Sequence, residues 1–119
     1  MDDGLSQWHS DHTELLDSGS RPPASGSFCM GVWEKVGERT YKLNHFPLPW
    51  NSAETQFIGP ANLRAEVTVT ADGKQYSGTF TLEQYSEDKN GNLTLMPPVA
   101  QGVITGTRIT MDSTPESIF

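Results

Sequence analysis

GVWEKVGERTYKLNHF, residues Gly31 to Phe46, is the stretch whose reading decides the fold. It reads as two β-strands joined by a tight turn at Val36-Gly37-Glu38-Arg39, where glycine suits a short hairpin connection. After the turn the residues alternate. Tyr41, Leu43 and His45 share one face; Thr40, Lys42 and Asn44 share the other. Lys42 and Asn44 prefer water, so the Tyr41/Leu43/His45 face points inward. His45 is then an imidazole on an apolar face, and a buried polar group without a partner is costly. Its unperturbed pKa lies near neutrality, so one assignment is a general acid or base. The competing assignment is a core histidine bonded to a neighbouring strand.

Working outward from the hairpin, the preceding strand runs from Phe28 to Val36, with Phe28, Met30 and Val32 on one face and Cys29, Gly31 and Trp33 on the other. Both faces are apolar, which predicts cover on both sides. Before it, Asp17 to Ser27 is a Gly/Pro/Ser loop. Leu5 to Ser10 reads as a first strand, and Asp11 to Leu16 as its extension or a short helical turn. The Asp-Asp-Gly start resembles half of a turn. After the hairpin, Phe46-Pro47-Leu48-Pro49-Trp50 denies ladder hydrogen bonds and marks an edge or a loop over a rim. Asn51 to Pro60 is loop, with a short strand at Thr55 to Ile58. Asn62 to Thr70 is the cleanest strand, with Leu63, Ala65, Val67 and Val69 inward. Ala71-Asp72-Gly73-Lys74 is a hairpin turn. Gln75 to Tyr85 pairs back, with Tyr76, Gly78, Phe80, Leu82 and Gln84 inward, and Gly78 marks a bend or bulge. Ser86 to Asn92 turns around Asn90-Gly91. Leu93 to Met96 pairs next, Pro97-Pro98 interrupts, Val99 to Met111 is the last long strand, and Asp112 to Phe119 is a tail.

No stretch holds a helical period over ten residues, and no internal repeat is visible. Six or seven strands in hairpins, with glycine in strand interiors, predict an all-β domain over residues 1–119. Its form is an antiparallel up-and-down barrel or a strongly bent sheet; a β-sandwich is the alternative. A barrel of this size can hold one small ligand. Open edges would call for a partner chain, which admits a homodimer.

Composition narrows the function. The 119 residues carry a formal net charge of -7, which disfavours nucleic acid as a partner. No basic run suits an anionic membrane surface, and no apolar run approaches a membrane span. The single cysteine, Cys29, excludes an internal disulfide and reads as a small hydrophobe between Phe28 and Met30. The first ten residues lack the features of a signal peptide, which leaves the mature form of an exported protein open.

Several segments carry a resemblance. Trp8-His9-Ser10-Asp11 with Thr13-Glu14, Arg21-Pro22-Pro23, and Gly31-Val32-Trp33 through Thr40 to Phe46 are similar to a family of small, largely uncharacterised microbial proteins. Gly59-Pro60, Glu66-Val67-Thr68, Tyr76 to Thr81 and Gln84-Tyr85 continue it, so that it covers most of Gly4 to Thr110. The resemblance implies a calycin-like, lipocalin-type barrel, often exported. It transfers no catalytic residue. Further N-terminal strands in the family imply that this chain is shortened and put a closed monomeric barrel in doubt.

The first candidate site is the barrel interior. Tyr41, His45 and Gln84 lie on inward faces, with Trp33 and Phe80 as apolar walls. A few polar groups in an apolar cavity suit a small apolar or amphipathic molecule. There His45 could move a proton, with Tyr41 assisting, as in a cyclase, isomerase or lyase that needs no cofactor. A fully packed barrel with a structural or interaction role is the third reading. His9, His12 and His45, with Glu14 nearby, follow no recognised metal-ligand spacing, so no metal site is expected. Glu66 and Arg64 alternate with apolar residues and read as a solvated outer face. Trp8, Trp50 and Tyr85 would suit a dimer interface or a pocket mouth.

Overall fold

The structure, a computed structural model, describes residues 3–19, 21–25 and 28–119. The chain runs through β1 (Gly4–Trp8), β2 (Thr13–Ser18), β3 (Phe28–Lys35), β4 (Thr40–Pro47), β5 (Ala61–Val69), β6 (Gln75–Glu87) and β7 (Leu93–Thr107), and ends in α1 (Pro115–Ile118). The strands form one seven-stranded sheet in the order β1-β2-β3-β4-β5-β6-β7. Every neighbouring pair is antiparallel. The sheet curls into a half-barrel, so that Trp8 of β1 lies 5.7 Å from Tyr76 of β6 across the interior. The all-β bent sheet is as the hairpin pattern predicts. With only one sheet among the described residues, the sandwich alternative falls.

Alternation places the core. Leu43, Ala65 and Val67 sit at its centre, with Trp8, Trp33, Tyr41, Leu63, Tyr76, Phe80 and Ile104 packed around them. The central turn closes through Val36 N–H, which donates to the Thr40 carbonyl at 2.9 Å. In β7, Gly102 and Gly106 lie beneath the rings of Phe80 and Tyr76, where an added Cβ would strike the ring. The aromatic rings take the place of the missing side chains.

Four expectations change. Thr13–Ser18 is a separate strand, not an extension of the first or a helical turn, because the chain reverses at His9–His12; His9 N–H donates to the Thr13 carbonyl at 2.9 Å and His12 takes φ 70°. Asp17 and Ser18 belong to that strand, and Pro23–Ser25 is a short 3-10 turn, so the expected 17–27 loop is shorter at its start. Met1, Asp2, Ser20, Gly26 and Ser27 lie outside the described residues. Phe28, Met30 and Val32 are not covered; they stay 53%, 63% and 51% exposed, because no second layer lies on the outer face. Thr55 to Ile58 forms only an isolated bridge, Trp50 with Phe57.

The last strand also differs. β7 runs through Pro97-Pro98 and stops at Thr107, short of Met111. The Pro97-Pro98 peptide is cis, and the β6–β7 register shifts between Leu82 and Gln84, not at Gly78. Proline is tolerated there because β7 is an edge strand. The inner and outer faces respond differently to substitution. Val67→Ala, at a position 1% exposed, is expected to lower stability by about 2 kcal/mol. Met30→Lys is expected to stay within about 0.5 kcal/mol. Urea midpoints of the two variants check this.

Candidate functional site

One row of paired residues crosses the inner face. Trp8 pairs with Glu14, Glu14 with Gly31, Gly31 with His45, and His45 with Leu63. Strands lie about 4.8 Å apart, so Glu14 and His45 start roughly 10 Å apart with one strand between them. Gly31 holds that middle position and has no side chain. The carboxylate and the imidazole therefore meet above it, with His45 Nε2 2.7 Å from Glu14 Oε2. An added Cβ at Gly31 would lie 2.5 Å from the Asn44 carbonyl oxygen.

Both side chains are only 2% exposed. The other carboxylate oxygen, Glu14 Oε1, accepts from Ser6 Oγ at 2.5 Å and from Trp8 Nε1 at 2.8 Å. His45 Nδ1 lies 3.9 Å from Cys29 Sγ. Neither Glu14 Oε2 nor His45 Nε2 makes an aligned hydrogen bond, and each is the other's polar neighbour. A second tie joins β5 to β4: Asn62, also buried, donates from Nδ2 to Asn44 Oδ1 at 2.5 Å and to the His45 carbonyl at 3.2 Å.

A carboxylate, an imidazole and a thiol thus stand in a line. That order can activate a thiol, but here the electrostatics run the other way. Burial pushes the Cys29 thiol up to about 11, and the negative charges of Glu14 and Asp17 push in the same direction. A thiolate is the nucleophilic form, so Cys29 is held inert. Burial, and then Glu14, also raises the Tyr76 phenol, which faces the same region from β6.

The other expected site residues separate. Tyr41 is on the inner face but packs against Trp8 and Trp33, with ring centroids 5.7 and 5.8 Å away. It lies four residues along the strand from His45, roughly 13 Å of backbone. Trp33 donates from Nε1 to the His9 carbonyl at 3.0 Å, and His12 stacks on its ring at 4.6 Å. Phe80 is a wall residue over Gly102. Gln84 lies partly buried, and its amide donates to the carbonyls of Gly59, Pro60 and Tyr85. Among the described residues no group of three His, Cys, Asp or Glu side chains is placed to hold a metal ion. Arg64 and Glu66 are exposed, and Glu66 pairs with Lys42 at 3.7 Å. Trp50 packs on Phe57 at 6.0 Å, and Tyr85 O–H donates to Glu83 Oε2 at 2.9 Å.

The decisive partner missed in the sequence is Glu14, with Ser6, Trp8 and Cys29 around it. Only with Thr13–Ser18 established as a strand does its carboxylate share a face with Leu16. No family model matches the chain, and no curated protein or solved structure matches it. No helix among the described residues is long and apolar enough to cross a membrane.

Two outcomes test the site. Gly31→Ala is expected to cost about 1–3 kcal/mol, because backbone must move to admit the methyl. Gly37→Ala, whose Cβ would meet only Thr40, at 3.3 Å from its side chain, is the control with little loss. For Cys29, the folded value near 11 lies above the reference value of 9.0. The protonated thiol favours the folded state, so its contribution is intact below pH 9 and is lost as pH rises through 11. Unfolding followed across that range should show a fall in stability that is smaller in Cys29→Ala.

Proposed function

We propose that this half-barrel is an interaction module: its interior supports the fold, and its uncovered surface carries the function. The observation behind this reading is surface area. A compact monomer of this mass exposes roughly 6,400 Å². This 13.1 kDa chain exposes 8344 Å². Its radius of gyration is 15.5 Å, against about 13.5 Å for a compact domain of this length. The buried apolar residues are few among those described: Cys29, Leu43, Ala61, Ala65 and Val67. One patch of the outer face is apolar as well, with Met30 paired directly to Phe46 and both half-exposed or more. Exposed apolar surface that is contiguous marks interaction sites.

The carrier and enzyme readings both need an open lumen with His45 at its floor. Trp8 stands in that space, 6.0 Å from Trp33, 5.7 Å from Tyr41 and 5.7 Å from Tyr76. His45 is buried against Glu14, which supports a structural use of its imidazole over a catalytic one. A small-molecule reading finds support instead on the opposite face. An open trough of about 760 Å³ lies there, lined by Val32, Glu34, Lys42, Asn44, Arg64 and Thr81 among others. Its charges are of both signs and exposed, so it suits a polar ligand and not the apolar one that the sequence led us to expect. The calycin-like resemblance is compatible with either use of the fold.

Native mass spectrometry and a fluorescence titration with lauric acid separate the readings. The module reading expects the bare polypeptide mass with no small adduct, and tryptophan emission unchanged by the fatty acid. A small adduct lost on denaturation, or a saturable change in emission that disappears in His45→Ala, would restore the carrier.

A further inference from the structure

β7 is the last strand in the sheet order, so one side of its backbone has no sheet neighbour. Long edge strands are normally guarded by charged side chains, because free N–H and C=O groups recruit other strands. β7 is fifteen residues long, LTLMPPVAQGVITGT, and carries no charged residue. β1, at the other edge, is also uncharged but only five residues long. The only guard on β7 is Pro97-Pro98, which interrupts the edge and leaves Val99 to Thr107 able to pair. Leu93, Leu95 and Met96 are exposed on one side of that interruption, and Val103 is 74% exposed on the other.

We propose that the free side of β7 pairs with β7 of a second copy of this chain, antiparallel across a twofold axis at Val103. The inference rests on the interaction-module reading and names its partner. Three features favour a second copy over a foreign strand. The first is area: the excess surface is about 2,000 Å², within what each chain of a permanent homodimer covers. The second is self-complementarity, which a twofold interface requires. Centring on Val103 sets Val103 against its own copy, Gln101 against Thr105, and Val99 against Thr107. On the inner face, Gly102 meets the partner's Ile104 and Ala100 meets the partner's Gly106.

The third is what lies next to those glycines. The Phe80 and Tyr76 rings rest on Gly102 and Gly106 and reach toward the free edge. The partner's Ile104 would continue that apolar surface, so the two half-barrels would share one inner face. Each chain carries a net charge of -7, which opposes association in general. The charge is kept off this edge alone among the long strands, since β3, β4, β5 and β6 each hold at least one Lys, Arg, Asp or Glu.

Size-exclusion chromatography with light scattering, at micromolar concentrations of the whole chain, tests the pairing. The wild type is expected at twice 13.1 kDa. Val103→Lys and Thr105→Lys are expected at the monomer mass with the β-sheet circular dichroism retained. Thr68→Lys, which adds the same charge at an exposed position on the outer face of β5, is expected to stay dimeric. A wild-type monomer, or a dimer that both β7 variants leave intact, overturns the proposal. If both lysine variants unfold, the wild-type melting temperature decides: a rise with protein concentration supports the dimer, and a constant value overturns it. The adduct and fluorescence experiment does not involve β7, so the module reading stands or falls separately.

Discussion

The contact between Glu14 and His45 across Gly31 is the constraint on which the remaining structure depends. Only a register that puts all three residues in one row allows it. A slip of one residue between β2 and β3 would turn Glu14 to the outer face and leave His45 buried without its carboxylate. Buried polar pairs add little net stability over apolar packing, but leaving one member without its partner is costly. The pair therefore serves to reject wrong registers more than to add free energy. It also draws in β1, since Ser6 and Trp8 both donate to the same carboxylate.

From that anchor the curl follows. Trp8, held by its indole N–H, meets Tyr76 from the far side of the sheet. The aromatic side chains of β1, β3, β4 and β6 then fill the interior that a wider barrel would leave open. What the fold lacks is breadth: seven strands bend without closing, and two edges stay free. The same geometry that buries His45 leaves the outer face and the β7 edge uncovered.

Much of this was legible from alternation. The hairpin from Gly31 to Phe46 placed His45 on the buried face, and the strand from Asn62 placed Ala65 and Val67 beside it. Glu14 was not legible, because its strand begins after a reversal with no glycine: His12 itself takes the left-handed conformation, which sequence patterns assign to glycine or asparagine. The Gln84 amide is taken by carbonyls on the segment before β5, a contact that no period of two reveals. β7 was divided at Pro97-Pro98 because proline interrupts a ladder; on an edge strand the chain passes through it with a shifted register. The packed lumen followed from Trp8, whose face could be assigned only once β1 and β2 were known to pair.

A double-mutant cycle between Glu14→Gln and His45→Phe, read as unfolding free energies in urea at neutral pH, tests the central contact most directly. A coupling of about 1–3 kcal/mol is expected for two buried groups in direct contact. Additivity within about 0.3–0.5 kcal/mol would contradict it, and would mean that something other than this contact sets the register of the sheet.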